Sequence, residues 1–529
     1  MSVETFDPSL PSRIASLVHA HFDALPTRSK PSTFPDGSRE WIPMSGIVAV
    51  KGEDTPSETL TCITVTSGAK CLSASHIPRC NGLVLHDCHA EILAIRAFNH
   101  WLLTECHGLL SQERESIRDP NLKSRVASGS PFIKRRTVEN LGDSASKPHT
   151  ETKWPPFELQ PDISIYMYCT CAPCGDGSME LCMAAQEDAT PWEVPQQQDS
   201  LTTSQEDEML LDGRAHFSRL GIVRRKPSRM DAESTRSKSC SDKLALRQVS
   251  SLLSCATSRL VAPTKNAYLT GLILPENEIS QVACDRSFGA DGRMKALVGL
   301  SWPETADNLG YRFWPFRVLS VPSERIAALW GFAKPKPASP VALDQKGDSL
   351  LSTRNTKKSK PGNASAVWTL APSCCDESAI LTETGSKSLP ALGRSKTGLY
   401  ETIINGVKQG NRASAPGARG ASALSRAKLW ALFRNIATAT ASIPVQNGDG
   451  PELLSQALET KKLQVNLVHN MPDINTYQEF KKPSGLEDPL SIRVQAIRDA
   501  RAVLKGWQPN IGDESWGLDV LVDPKKRKR

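Results

Sequence analysis

Two junctions, each with a strand-like run passing straight into a turn and a helix-like run, constrain the fold of this chain most. The run ISIYMYCT (163–170) is rich in β-branched and aromatic residues, which predicts a strand, and CAPCGDGSMELCMAA follows it as turn then helix. In NGLVLHDCHAEILAIRAFNHWLL (81–103), Ile92, Ile95, Phe98 and Leu102 recur at helical spacing after His89-Ala90-Glu91. Upstream, GIVAV (46–50) and TCITVTS (61–67) predict two strands joined by the polar turn KGEDTPSE, a hairpin. Strands that alternate with helices require a sheet covered by helices, so the chain reads as α/β.

The remaining segments divide the 529 residues. Ile14, Leu17, Val18, Phe22 and Leu25 share one face of a predicted helix over 8–26, closed by Pro26, within an N-terminal segment 1–45. The main domain spans 46–513, with flexible insertions expected at 110–157, 186–213, 333–365 and 385–423. Each is charged, acidic and Gln-rich, Lys/Pro/Ser-rich or Gly/Ala/Ser-rich. A last helical region covers about 489–506, and a basic tail 514–529 ends in PKKRKR. Hydrophobic residues make up 39%, low for a chain of this length, in keeping with solvated insertions. The net charge of +7 is mild, but acid is concentrated near 186–212 and other stretches are strongly basic, which suits a polyanion partner. MSVETFDPSLPSR has no apolar core, so no secretory leader is expected, and no apolar run approaches the roughly 18 residues that span a bilayer. The 14 cysteines are therefore expected as free or metal-bound thiols of a reducing compartment.

His89 and Glu91 carry the first chemical signal. An imidazole at the start of a helix can bind a metal, and a carboxylate two residues on can stand beside it without being a ligand. H-x-E alone is weak. A second copy, His149-Thr150-Glu151 in SASKPHTETKWPP, has no strand pattern before it and no helical pattern after it, and is assigned to a loop. Pro173-Cys174 is the second signal, since proline favours the first turn of a helix and a helix N-terminus lowers a thiol's pKa. Position 177 is Gly, so a P-C-x-x-C pair is absent. Cys169, Cys171, Cys182 or a distant thiol could complete a site, and spacing does not choose among them. A single free cysteine is most often a small core residue.

The segments HDCHAEILAIR (86–96), APCGDGSME (172–180) and SKSCSDKLALR (237–247) together resemble the adenosine deaminase (editase) domain, in its tRNA-specific, fungal-type branch. That domain is shared by tRNA-specific adenosine deaminases and double-stranded-RNA adenosine deaminases. The resemblance implies a cytidine-deaminase-like three-layer α/β/α core with a central mixed sheet, enlarged by helical C-terminal elements and loop insertions. It implies Zn2+ held by His89, Cys174 and Cys240, the last from the S-C-S-D-K motif, with Glu91 as the proton-moving carboxylate. It also implies a buried inositol hexakisphosphate. The matching positions are Arg96, Lys243, Lys428, Tyr477, Lys481, Trp507 and Asp513. Ile95, Arg247 and His86 depart from the residues common in the family, an arginine, a tryptophan and an asparagine respectively.

The family reading points to hydrolytic conversion of adenosine to inosine in RNA. An adenine must leave its stack to reach a recessed site, which is cheapest in an unpaired loop. Only about 45 residues precede the resemblance, too few for a duplex-binding domain, so tRNA is the expected partner. By resemblance the target is the adenosine 3′ of the anticodon in tRNA(Ala). No obligate protein partner and no membrane are expected. The alternatives are an editor of structured mRNA and a non-catalytic zinc-stabilised RNA-binding protein. Retention of Glu91 argues against the latter, since a structural site has no use for it. PKKRKR (524–529) resembles a nuclear localisation signal, placing the protein in nucleus and/or cytoplasm, with a phosphate-touching tail as the rival reading.

Overall fold

The computed structural model describes residues 9–35, 37–118, 129–140, 149–185, 211–212, 219–226, 233–303, 310–335, 359–373, 392–441, 474–483 and 488–522. Its centre is a nine-stranded mixed sheet built from β1 (Met44–Lys51), β2 (Thr59–Ser67), β3 (Ile163–Cys169), β4 (Leu269–Pro275), β5 (Arg317–Val321), β6 (Ala364–Thr369), β7 (Gly393–Arg394), β8 (Leu399–Ile404) and β9 (Val407–Lys408). The spatial order is β5-β4-β3-β1-β2-β6-β8-β7, with β9 beside β8. β1 and β2 form the expected antiparallel hairpin, and β1 runs antiparallel to β3 on its other edge. β3, β4 and β5 are mutually parallel.

Strand alternation distributes the sheet between two cores. In β1, Ile47 and Ala49 point to one face and Met44, Val48 and Val50 to the other. In β3, Ile165 and Met167 oppose Tyr166 and Tyr168 in the same way. Helix α1 (Leu10–Asp23) covers the second face with Ile14, Val18 and Phe22. Helix α2 (Ala90–Arg118) covers the first with Ala94, Phe98, Trp101 and Leu102. The same side receives α3 (Met179–Ala184), α4 (Cys240–Ser250) and the C-terminal helices α5 (Arg426–Ala441) and α6 (Pro489–Val503). Leu429, Trp430, Phe433, Ala496 and Ala500 of the last two bury into the larger core. The result is the expected three-layer α/β/α core with helical C-terminal elements. Among the described residues no helix is long and apolar enough to cross a membrane.

Several segments differ from their sequence-based reading. The stretch 110–157 holds the end of α2 and most of an antiparallel hairpin, Ile133–Asn140 with His149–Leu159. His149-Thr150-Glu151 therefore begins a strand rather than lying in a loop, because backbone pairing with Val138–Asn140 overrides its polar composition. Strands β6, β7, β8 and β9 likewise occupy parts of 333–365 and 385–423 or border them. Most of 186–213, the middle of 333–365 and the tail PKKRKR lie outside the described residues.

Candidate metal centre and cleft

Three chain segments converge on one point. The short strand Asp87–His89 pairs antiparallel with Ala69–Cys71, which sets His89 opposite Ala69 just ahead of α2. The second ligand follows β3. Cys174 is not at a helix N-terminus as its sequence suggests; it lies in a turn, ahead of a short 3-10 turn (Asp176–Ser178) that leads into α3. Gly175 takes φ +104° there, and a Cβ on it would come 2.1 Å from Ser239 Oγ, so only glycine fits and the helix is delayed. Cys240 is the thiol at the start of a helix, the first residue of α4, capped by the Ser239 hydroxyl.

The ligand atoms of His89, Cys174 and Cys240 all lie within 4.8 Å of one another. Cys174 Sγ is 3.8 Å and Cys240 Sγ 3.6 Å from His89 Nδ1. The backbone amide of Cys240 donates to Cys174 Sγ at 3.4 Å. The two motifs interlock around these atoms. Ser241 Oγ donates to the Pro173 and Cys174 carbonyls, 3.0 Å each, and accepts from Gly177 N at 3.0 Å. A Cβ at Gly177 would meet Ser241 Oγ at 2.9 Å. Asp242 accepts from Ser239 Oγ, Arg224 N and Arg293, while Asp176 accepts from Arg286, Ser287 and Gly221 N. P-C-G-D-G and S-C-S-D thus form one polar scaffold that fixes two sulfurs.

Charge is arranged around the sulfurs by Lys226 and Asp87, which no sequence pattern singles out, and by Lys243, which the family resemblance does. Lys226 Nζ lies 3.2 Å from Cys240 Sγ and 3.0 and 3.2 Å from the two Asp87 oxygens. Lys243 reaches Asp87 from the other side. The hydrogen bond from the Cys240 thiol, then Lys226 and His89, hold Cys174 well below the ordinary thiol range, so a thiolate is stable there. Burial opposes charge on His89, yet nearby Cys71 and Cys174 outweigh it and raise its pKa to about 10. The negative charge that draws a proton onto His89 is charge that a bound cation would neutralise.

Glu91, in the first turn of α2, is 4% exposed, and its Oε2 has no hydrogen-bond partner. Burial pushes its carboxyl upward, and Cys174 adds to the rise against His89. A buried, orphaned carboxylate beside two thiols and an imidazole fits a site built to exchange a proton with a guest next to a soft-donor metal. His89, Glu91 and Cys174 line one cleft of about 2260 Å³, whose walls also carry Lys70, Arg225, Lys334 and Arg412. Cys169, Cys171 and Cys182, the nearby alternatives, are in no metal-capable cluster among the described residues.

The cation set expected around a polyphosphate is brought together in part. Arg96 donates twice to the Leu424 carbonyl, at 3.0 and 2.6 Å. Burial and then Arg426 hold its pKa down to about 10. Tyr477 stacks on Trp516, and Lys481 lies over the Tyr477 ring. Trp507 lies between Lys238 and Arg501. Lys243 stands between this set and the metal centre through its pair with Asp87. Lys428 is buried but turns to the Ala421 carbonyl, and its nearest charges are Lys408 and Glu401. Asp513 is consumed by His86 at 2.9 Å, Arg426 at 3.2 Å and the Gly82 amide at 2.8 Å. Lys238, Arg501, Arg247 and Arg493 join them. Arg247 and Arg493 both donate to the Leu253 carbonyl, at 2.9 and 3.0 Å, and neither has a carboxylate within ion-pair distance among the described residues. Burial, then Arg493 and Arg96, lower Arg247 to about 9. Burial, then Lys243 and Arg501, lower Lys238 to about 7.

A model of the adenosine-deaminase (editase) domain matches residues 64–133 and 136–286. A protein named tRNA-specific adenosine deaminase 1 from Schizosaccharomyces pombe is 36% identical over 307 residues, 58% of this chain and 66% of that protein. Its namesake from Saccharomyces cerevisiae is 29% identical over 272 residues, 51% of this chain and 60% of that protein. Double-stranded RNA-specific editase B2 from Rattus norvegicus is 35% identical over 136 residues, 26% of this chain and 14% of that protein. The chain thus spans about two thirds or less of the length of each of these relatives.

Proposed function

The chain belongs to the adenosine-deaminase (editase) domain family, and on that premise we propose that it hydrolyses adenosine to inosine in tRNA. The observation that carries this reading is the buried Glu91, with one oxygen unpartnered, beside the converging His89, Cys174 and Cys240. One imidazole and two thiols suit Zn2+ better than a hard cation, and those three residues would hold it. When bound, zinc supplies activation of a water molecule as a nucleophile near neutral pH. Glu91 accepts a proton from the attacking water and delivers it to the purine ring as C6 is attacked. The same carboxylate then takes the proton of the new C6 hydroxyl and passes it to the departing amine as the C6–N bond breaks, so adenosine and water leave as inosine and ammonia. A raised carboxyl pKa favours this double duty, because the group must hold a proton between the two transfers. Lys226 and Asp87 keep the sulfurs charged and in place.

The tRNA assignment is supported by the names of the two fungal relatives, and the adenosine 3′ of the anticodon in tRNA(Ala) is the finer proposal. Inositol hexakisphosphate fits the cations behind the metal centre. Arg96, Arg247, Arg493 and Lys238, buried or half-buried, crowd together with the exposed Arg501 and Lys481, and a bound polyphosphate would offset their mutual repulsion. Nuclear residence through PKKRKR is proposed on composition. The deciding experiment incubates purified protein with total tRNA and maps inosine by sequencing. Inosine beside the tRNA(Ala) anticodon is expected. Inosine in duplex RNA but never in tRNA would overturn the substrate, and zinc binding with no inosine in any RNA would leave a non-catalytic binder.

A further inference from the structure

One wall of the cleft lies outside the residues matched by the family model and has a composition of its own. It is built where the two-residue strand Glu40–Trp41 pairs in parallel with Lys360–Pro361. Lys334 Nζ stands 5.7 Å from the centroid of the half-buried Trp41 ring. Next to this wall, Lys360 Nζ stands 4.8 Å from the Phe34 ring, though neither residue lines the cleft. Arg39 is exposed two residues before Trp41, and Arg39, Trp41 and Lys334 all line the cleft that reaches His89 and Glu91. None of the three cations has an ion-pair partner among the described residues.

Aromatic rings interleaved with lysine and arginine are what an unpaired nucleic-acid strand requires, since bases stack on the rings and phosphates meet the cations. A solvated wall would have no reason to keep a tryptophan half exposed in the cleft. Trp41 stays half-buried at the cleft, whereas Trp368 and Trp101 lie fully inside the core.

We propose that Trp41 is the stacking platform for an unpaired base flanking the reacting adenosine, and that Arg39 and Lys334 take the adjoining phosphates. The inference rests on the RNA-deaminase reading above and adds a substrate subsite to it. Holding a neighbouring base on Trp41 fixes where the strand turns and so which adenosine enters the recess.

The test uses the full chain, zinc-loaded, with a synthetic anticodon stem-loop RNA as probe. Binding is followed by filter retention at several salt concentrations, and inosine formation by steady-state kinetics. Trp41→Ala should weaken binding about tenfold and raise KM about as much, with kcat and the salt dependence unchanged. Trp41→Phe should restore most of the affinity. Lys334→Ala and Arg39→Ala should each lower the slope of log affinity against log salt by about one. Folding of each variant is checked by its melting temperature, and Trp41→Phe with Lys334→Ala decides the matter if Trp41→Ala does not fold. Trp41 variants that bind and turn over as the parent does would overturn the subsite while leaving deamination standing. A parent protein that forms no inosine in any RNA would overturn the deaminase reading itself.

Discussion

The Lys226 ammonium lies 3.2 Å from Cys240 Sγ while it also bridges both oxygens of Asp87. One buried cation is thereby shared between a candidate metal ligand and a carboxylate whose Oδ2 Lys243 also binds. Burial works against that charge, and Asp87 with the two sulfurs more than compensates, so Lys226 stays protonated. Replacing it with methionine leaves Asp87 short of one partner. Lys226→Met is expected to destabilise the fold near the lower end of about 3–5 kcal/mol, since Lys243 remains. Urea unfolding measures this, and an unchanged midpoint would show that the pair carries no weight.

Glu91 makes no structural hydrogen bond through Oε2, so its loss need not disturb the fold. Glu91→Gln should retain zinc, measured by metal analysis, and keep the parent melting temperature within a degree or two. Inosine formation should fall by about 10²–10⁴ in kcat. An active Glu91→Gln protein would remove the carboxylate from the chemistry.

Ser241 offers a different kind of test, because it touches no reacting group. Its hydroxyl ties the Pro173 and Cys174 carbonyls to the Gly177 amide. Ser241→Ala orphans that amide and frees the Cys174 turn, a loss of about 1–3 kcal/mol. The expected readout is faster release of zinc to a chelator, with kcat of the still-loaded fraction little changed. Release at the parent rate would mean the turn is held by other bonds, such as the Ser241 amide to the Cys174 carbonyl at 3.0 Å.

Acid sensitivity should come from two buried imidazoles remote from the metal. Burial lowers His19, whose Nε2 lies 2.9 Å from the Tyr168 hydroxyl, from 6.5 to about 4. Burial, then Lys428, lowers His100 to about 4 as well. A folded-state pKa below the unfolded one means the unfolded chain binds the proton first. The stability each neutral ring contributes is complete above pH 6.5 and declines as pH falls from there toward 4. The two together would contribute several kcal/mol, on the order of 3 each. Unfolding free energies from pH 7.5 to 4.5 should fall less steeply in a His19→Gln, His100→Gln variant. Parallel curves would refute the assignment.

How much of this was legible before folding depends on distance along the chain. The β1–β2 hairpin, β3, α1 and α2 follow from period and turn residues, because both sides of their cores come from local alternation. His89 and Glu91 are legible for the same reason: two positions at one helix start. Cys174 was placed near the right point but in the wrong setting, since the clash between a Gly175 Cβ and Ser239 involves residues 64 positions apart. Lys226 and Asp87, 139 positions apart, meet only in three dimensions, and nothing in the basic run RRKPSR marks one lysine from its neighbours. The cluster of cations around Arg96 and Arg247 shows the same limit. Arg247 reads as a departure from its family, yet it joins Arg493 at one carbonyl that no pattern connects to either.

The three candidate metal ligands also bear on how such chains can vary in length. His89 and Cys174 are separated by 85 positions, and Cys174 and Cys240 by 66. Joining distant points of a polymer costs entropy that grows only with the logarithm of the contour between them, about 0.6 kcal/mol for each doubling. The acidic, Gln-rich stretch between the two cysteines could therefore double or halve with a penalty smaller than that of one lost hydrogen bond. Length in that interval is nearly neutral to the folding equilibrium, whereas a single methyl group on Gly175 is not.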